Sequence, residues 1–214
     1  MTDPAEKFLT GPERLRIEER IAEAEKRTSG EIVVMVVPSS YHYPFASLLG
    51  SSFLAILLGI AVTLIAGKES MWFFLPVFGI SFMILHELTR RILFLKRLFV
   101  SKSDMKEEVE EAAIKAFYFR NINQTADHTG ILLYISLFER KVRVIADKGI
   151  NGKVDQEVWQ EIVDTIVRGI RSKEPAGAIV AAVDRCGEIL AGYFPLKADD
   201  RNELGNSLII GRQQ

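Results

Sequence analysis

The chain has 214 residues, with 27 basic and 28 acidic side chains and a net charge of −1. That length suits one domain plus an accessory element, and the balanced charge excludes a strongly basic or strongly acidic partner surface. The single cysteine, Cys186, excludes an internal disulfide and reads as a small buried side chain in an apolar helical pattern.

Residues 1–7 lack a basic stretch followed by an apolar one, so no cleavable signal peptide is expected. Thr10-Gly11-Pro12-Glu13 has the spacing of a capping box, with proline in the first turn. Leu15, Ile17, Ile21 and Ala24 then recur at helical spacing, and Ser29-Gly30 ends the helix. Residues 31–38, Glu-Ile-Val-Val-Met-Val-Val-Pro, read as a strand apolar on both faces, hence central in its sheet and closed by Pro38.

An apolar double stretch follows. It runs from Phe45 to Gly67, breaks at Lys68-Glu69-Ser70 and resumes from Met71 to Leu85. A spanning helix needs about 20 apolar residues, which the first stretch alone supplies without a charge. Tyr41, Tyr43 and Phe45 before one span, and Trp72, Phe73 and Phe74 at the start of the other, suit the headgroup layer. The short polar break permits only a tight antiparallel hairpin, so both flanking segments face one compartment. Arg90, Arg91, Lys96 and Arg97 follow the second span, which places that compartment in the cytoplasm by the positive-inside rule. The lipid bilayer is therefore an expected partner, and the plasma (inner) membrane of a prokaryote the expected location, with both termini cytoplasmic. Pro76 is expected to bend the second helix, as membrane helices tolerate. His86-Glu87-Leu88-Thr89-Arg90 is not a zinc-protease motif, because Arg90 stands where the second histidine is needed. Small residues in the first span, Gly50, Ser51, Gly59 and Ala61, leave self-association into a homo-oligomer open.

After the hairpin, Ser103 can cap a helix to about Arg120, with Val109, Ala112, Ala113, Ala116 and Phe117 as its buried stripe. Residues 130–136 read as a second doubly buried strand and residues 141–147 as a third, nearer an edge and antiparallel to the second. Asp155 is expected to cap a helix carrying Val158, Trp159, Ile162, Ile166 and Ile170 inward, and Pro175 to open another. The tail from Lys197 is polar apart from Leu208-Ile209-Ile210, and is expected either to be disordered or to dock on a partner. The fold class is α/β: a small mixed β-sheet sandwiched between helices and interrupted by a transmembrane helical hairpin. Its parts are residues 1–40, the hairpin 41–98, residues 99–195, and the polar tail 196–214.

With the turn near residue 139, Gly130 falls opposite Asp147. Asp127 and His128 then come near Asp147, and the loop 148–153 leads on to Asp155. Carboxylate and amide oxygens are what hard cations prefer, so Asp127, Asp147, Asn151 and Asp155 form a candidate metal rim for Mg²⁺ or Ca²⁺. Such a cation could polarise a phosphoryl oxygen, with Asp147 and Asp155 as the candidate catalytic residues. Each aspartate also has a structural reading, Asp155 as a cap and Asp127 and Asp147 as loop-edge residues. His128 reads as an exposed loop histidine. No glycine-rich phosphate loop is present, and basic residues do not interleave with aromatics, so no nucleic-acid partner is expected.

These residues carry a family resemblance. Glu25-Lys26-Arg27-Thr28-Ser29-Gly30-Glu31-Ile32-Val33-Val34 is similar to the helix-to-strand entry of the TPM domain. The run from Thr129 to Val142 resembles that family's hairpin, and Asp147-Lys148-Gly149-Ile150 with Val154 and Asp155 resembles its glycine loop and helix start. The likeness covers roughly residues 8–38 and 105–192, and the inserted spans resemble a prokaryotic subgroup. It implies an α/β sandwich whose relatives include phosphatases, divalent-metal binders and factors for repair or assembly of membrane complexes. Gly149 and Asp155 match the family pattern. Asp147 stands where a glycine is usual and Asn151 where a glutamate is usual, and neither Asp3 nor Glu6 is in register with the family's N-terminal aspartate. Fewer carboxylates lower the affinity for a cation. The expectation is therefore a membrane-anchored, cytosol-facing interaction or assembly factor working with other membrane proteins. The alternative is a divalent-metal-dependent phosphatase using Asp127, Asp147 and Asp155. If the first two strands run parallel, that acidic rim lies at the end of the sheet away from Pro38, where the hairpin departs.

Overall fold

The computed structural model describes residues 4–68, 70–197 and 202–211. Asp3, Glu69 at the hairpin break, and parts of the expected polar tail (residues 198–201 and 212–214) lie outside the described residues, as do the first three positions of the segment read for a signal peptide. The described chain forms two compact units, Tyr41–Met105 and the residues flanking it on both sides.

The flanking unit is built on a four-stranded sheet, β1 (Glu31–Val37), β2 (Gly130–Ser136), β3 (Lys141–Ala146) and β4 (Ile209–Ile210), in the order β3-β2-β1-β4. β1 pairs parallel with β2 and β4, and β2 pairs antiparallel with β3, so the sheet is mixed. Every residue of β1 and β2 is buried, as expected for strands apolar on both faces. On one face Ile32, Val34, Val36, Ile131, Leu133 and Ile135 form the larger core with three helices: α1 (Gly11–Glu25), α7 (Gln156–Arg171) and α8 (Pro175–Tyr193). On the other face Val33, Met35, Leu132 and Tyr134 pack on Val109, Ala113, Ala116 and Phe117 of α5 (Lys102–Phe119). Cys186 is fully buried in the larger core, and burial pushes its thiol up to about 12.

Local signals account for the helix ends. Glu13 Oε2 accepts from the Thr10 backbone N–H at 2.7 Å, which realises the capping box and lowers the Glu13 carboxyl. Trp159, Ile162 and Ile166 make the buried stripe of α7, and Asp155 is its N-cap residue, though its side chain makes no capping bond. The expected flexible loop after β3 is instead a single helical turn, α6 (Lys148–Asn151), whose N-cap is Asp147.

The tail corrects an expectation. Ile209 and Ile210 pair with Met35 and Val36, and Gly211 N–H donates to Val36 O at 3.1 Å, so the segment docks on this chain's own sheet. Acidic side chains of the flanking helix and strand hold it. Glu18 Oε1 accepts from Leu208 N–H at 3.0 Å, Glu31 Oε1 accepts from Glu203 N–H at 2.9 Å, and Asn206 donates to Glu25. Burial pushes the Glu25 carboxyl up to about 8; the bond from Ile32 N–H opposes the shift and the nearby Glu31 adds to it. At the other end of β1, buried Glu139 accepts from Ser39 Oγ and Ser40 N–H, both at 3.1 Å, and from Ser136 Oγ.

The second unit holds α2 (Pro44–Ile65), α3 (Met71–Arg91) and the short α4 (Leu93–Leu98). Both α2 and α3 are long and apolar enough to cross a membrane. They run antiparallel: the Phe74 ring lies where a Cβ on Gly59 would come within 2.8 Å, and Ser51 Oγ lies 3.3 Å from His86 Nδ1. α3 passes through Pro76. Phe45, Ile65 and Trp72 are 74, 87 and 85 % exposed, unlike side chains of a soluble core helix. Glu87 accepts from Arg91 Nε at 2.7 Å, so the residues of the rejected zinc motif serve the helix and its neighbour.

Candidate functional site

Since β1 and β2 run parallel, the starts of β1 and β2 and the end of β3 meet at one end of the sheet, opposite Val37. The expected pairing of Gly130 with Asp147 is present, with Asp147 N–H donating to Gly130 O at 2.9 Å. The antiparallel ladder continues one step further, as Gly149 N–H donates to His128 O at 3.2 Å. Gly149 is sterically required there: a Cβ would stand 2.6 Å from His128 O and 2.7 Å from Asp127 O.

Asp127, Asp147 and Asn151 lie at this end of the sheet, and their side chains are engaged within the chain. Asp147 is 8 % exposed; its Oδ1 accepts from Lys148 N–H at 2.7 Å and its Oδ2 lies 3.2 Å from His128 Nδ1. Asp127 is ion-paired with Lys197. Asn151 Nδ2 donates to Ala146 O at 2.6 Å, which closes the end of β3. Asp155 is exposed at the start of α7. Among the described residues no group of three or more His, Cys, Asp or Glu side chains is gathered to hold a metal ion. As arranged, a cation would have to displace Lys197 from Asp127 and compete with the Lys148 N–H for Asp147, so the donor set does not fit a resident Mg²⁺ or Ca²⁺.

Sequence reading brought His128 near Asp147 but took it for an exposed loop residue, and so missed the 3.2 Å contact of its Nδ1 with Asp147 Oδ2, made at a positive φ of 54°. It also missed a groove on the far side of β3. Ile114, Arg143, Val144, Ile145, Ala146, Asn151, Gln156, Trp159, Gln160 and Val163 line a space of about 230 Å³. The apolar spacing of α7 marked Trp159 and its neighbours as core residues, and nothing in that pattern distinguishes a core position from the wall of a groove.

Comparison with known proteins gives two matches. Residues 91–189 match the family model described as the TPM domain. The NMR structure of the BA42 protein from the psychrophilic bacterium Bizionia argentinensis is similar over 94 % of this chain and 94 % of its own, at 22 % identity and a TM-score of 0.60. At that identity the likeness speaks for the fold alone. No curated protein matches the sequence.

Proposed function

The chain carries a TPM domain, and from that premise we propose that it is a membrane-anchored binding module acting in assembly or maintenance of a membrane complex. One observation carries this reading over an enzymatic one: the carboxylates of Asp127 and Asp147 are each engaged by a group of the same chain. A catalytic rim needs those oxygens directed at a substrate or cation. In this reading α2 and α3 cross the plasma membrane of a prokaryote. Arg90, Arg91, Lys96 and Arg97 hold the flanking segments in the cytoplasm.

The experiment is cross-linking of the full chain in native membranes, purification in detergent and mass spectrometry of what is retained. A constant set of membrane proteins at fixed stoichiometry is the expected result. Hydrolysis of an aryl phosphate with Mg²⁺, Mn²⁺ or Ca²⁺, lost in Asp147→Asn and Asp155→Asn, would instead establish the phosphatase. The contact between Asp147 and His128 is the feature favouring that second reading, since it joins a carboxylate to a potential proton carrier.

A further inference from the structure

β3 is an outer strand of the sheet, with no strand beside it among the described residues. In an antiparallel pair the backbone groups of alternate residues point to the partner strand. Asp147 bonds to Gly130, so by alternation Val142, Val144 and Ala146 turn their N–H and C=O groups away from β2. Asn151 Nδ2 occupies the carbonyl of Ala146. Val142 and Val144 therefore present two donors and two acceptors in the spacing of a strand.

This edge lies in the groove described above. Ile114 of α5 forms one wall and Trp159 and Val163 of α7 the other. An independent feature points to an occupant: Trp159 is 6 % exposed, yet its Nε1–H has no hydrogen-bond partner among the described residues. A buried donor left unmatched is costly, and an acceptor brought by a ligand removes that cost. The exposed charge at the turn end of the edge is mainly basic, from Arg140, Lys141 and Arg143; Glu110 pairs with Arg143 across the face, and Glu139 is buried within the turn. Two copies of such an edge repel one another, whereas an acidic strand is attracted.

We infer that the β3 edge and the Trp159 groove bind an extended segment of a partner protein by strand addition. The segment places an acidic residue against Lys141 and Arg143 and a hydrogen-bond acceptor at Trp159. This deepens the binding-module reading by naming its surface, and rests on it.

The probe is a synthetic peptide, acetyl-Thr-Val-Thr-Val-Asp-Asp-amide, added to the full chain in detergent with Trp72→Phe, so that Trp159 alone reports by fluorescence. Saturable binding with a change in Trp159 emission is expected. Binding should weaken by roughly tenfold or more when the peptide's alternate amides are N-methylated, when its aspartates become lysines, or in Val144→Pro. Val144→Pro removes an outward N–H and leaves the β2 ladder intact but also trims a side chain of the larger core, so a thermal melt establishes that the variant is folded at the assay temperature. Lys141→Glu provides a second variant with no backbone change, and it should reverse the preference between the acidic and basic peptides. Absence of binding at millimolar peptide overturns the proposal, as does binding indifferent to N-methylation and to both variants. Dimerisation of the chain that Val144→Pro abolishes would assign the edge to a second copy and overturn it too. If partners captured in membranes are retained by Val144→Pro and Lys141→Glu, this surface is wrong while the binding-module reading stands.

Discussion

The amide of Gly149 donates to the carbonyl oxygen of His128 at 3.2 Å, and a Cβ on Gly149 would stand 2.6 Å from that same oxygen. The turn that follows β3 is thus pressed directly against the segment that precedes β2. Gly149→Ala must push them apart and should destabilise the domain by about 1–3 kcal/mol. Gly152→Ala is the control: its Cβ would meet only Lys148 O, at 3.9 Å, and should change stability little. Chemical denaturation of both variants decides the matter, and equal midpoints would refute the steric account.

Glu25 predicts a pH dependence. Its carboxyl ordinarily titrates near 4.5 and is pushed up to about 8 in the fold, chiefly by burial. Between those values the folded chain retains a proton that the unfolded chain releases. Stability therefore falls as pH rises through this window and levels off above it. Glu25→Gln, which cannot ionise, should flatten that fall and gain on the order of 2 kcal/mol at pH 9, with solvent near Asn206 relaxing part of the desolvation. Melting curves from pH 5 to pH 9 for both proteins test the sign; a parallel decline in the variant would clear Glu25 of responsibility.

Glu139 joins the end of β1 to the β2–β3 turn. Glu139→Ala leaves Ser40 N–H and the Ser39 and Ser136 hydroxyls without their common acceptor and should cost about 2–3 kcal/mol. Glu139→Gln keeps an acceptor oxygen and should lose less. Equal denaturant midpoints for the two would show that the charge, rather than the bonds, matters.

Leu208 is 8 % exposed and belongs to the larger core. Leu208→Ala should cost about 2 kcal/mol and accelerate proteolytic cutting between residues 202 and 211 before the rest of the domain is attacked. Cleavage spread evenly along the chain would mean the segment is not a separately opening part.

The sheet's main strands were legible because their chemistry is local. Residues 32–37 and 131–135 are unbroken apolar runs, and the turn at Phe138-Glu139-Arg140 fixes the pairing of Gly130 with Asp147. β4 was not, since two isoleucines have no periodicity and their place is set by acceptors at Glu18 and Glu31, far away in sequence. The same holds for the candidate rim. Its positions follow from strand register, but the ion pair between Asp127 and Lys197 joins two exposed residues with no common motif. The Asn151 bond to Ala146 O depends on α6 being helical, where the glycines suggested an open loop.

The pairing of β1 also sets a problem of timing during synthesis. β1 is apolar on both faces and is made before α2 and α3, yet its neighbours are Gly130–Ser136 and Ile209–Ile210, translated only after the apolar helices have emerged. The ribosome thus delivers a sticky, unpartnered strand, then two helices long and apolar enough to cross a membrane, and only later the strands that bury the first. Contacts so distant along the chain close slowly and leave aggregation-prone edges exposed meanwhile. Nascent β1 therefore stays unpaired until β2 leaves the exit tunnel.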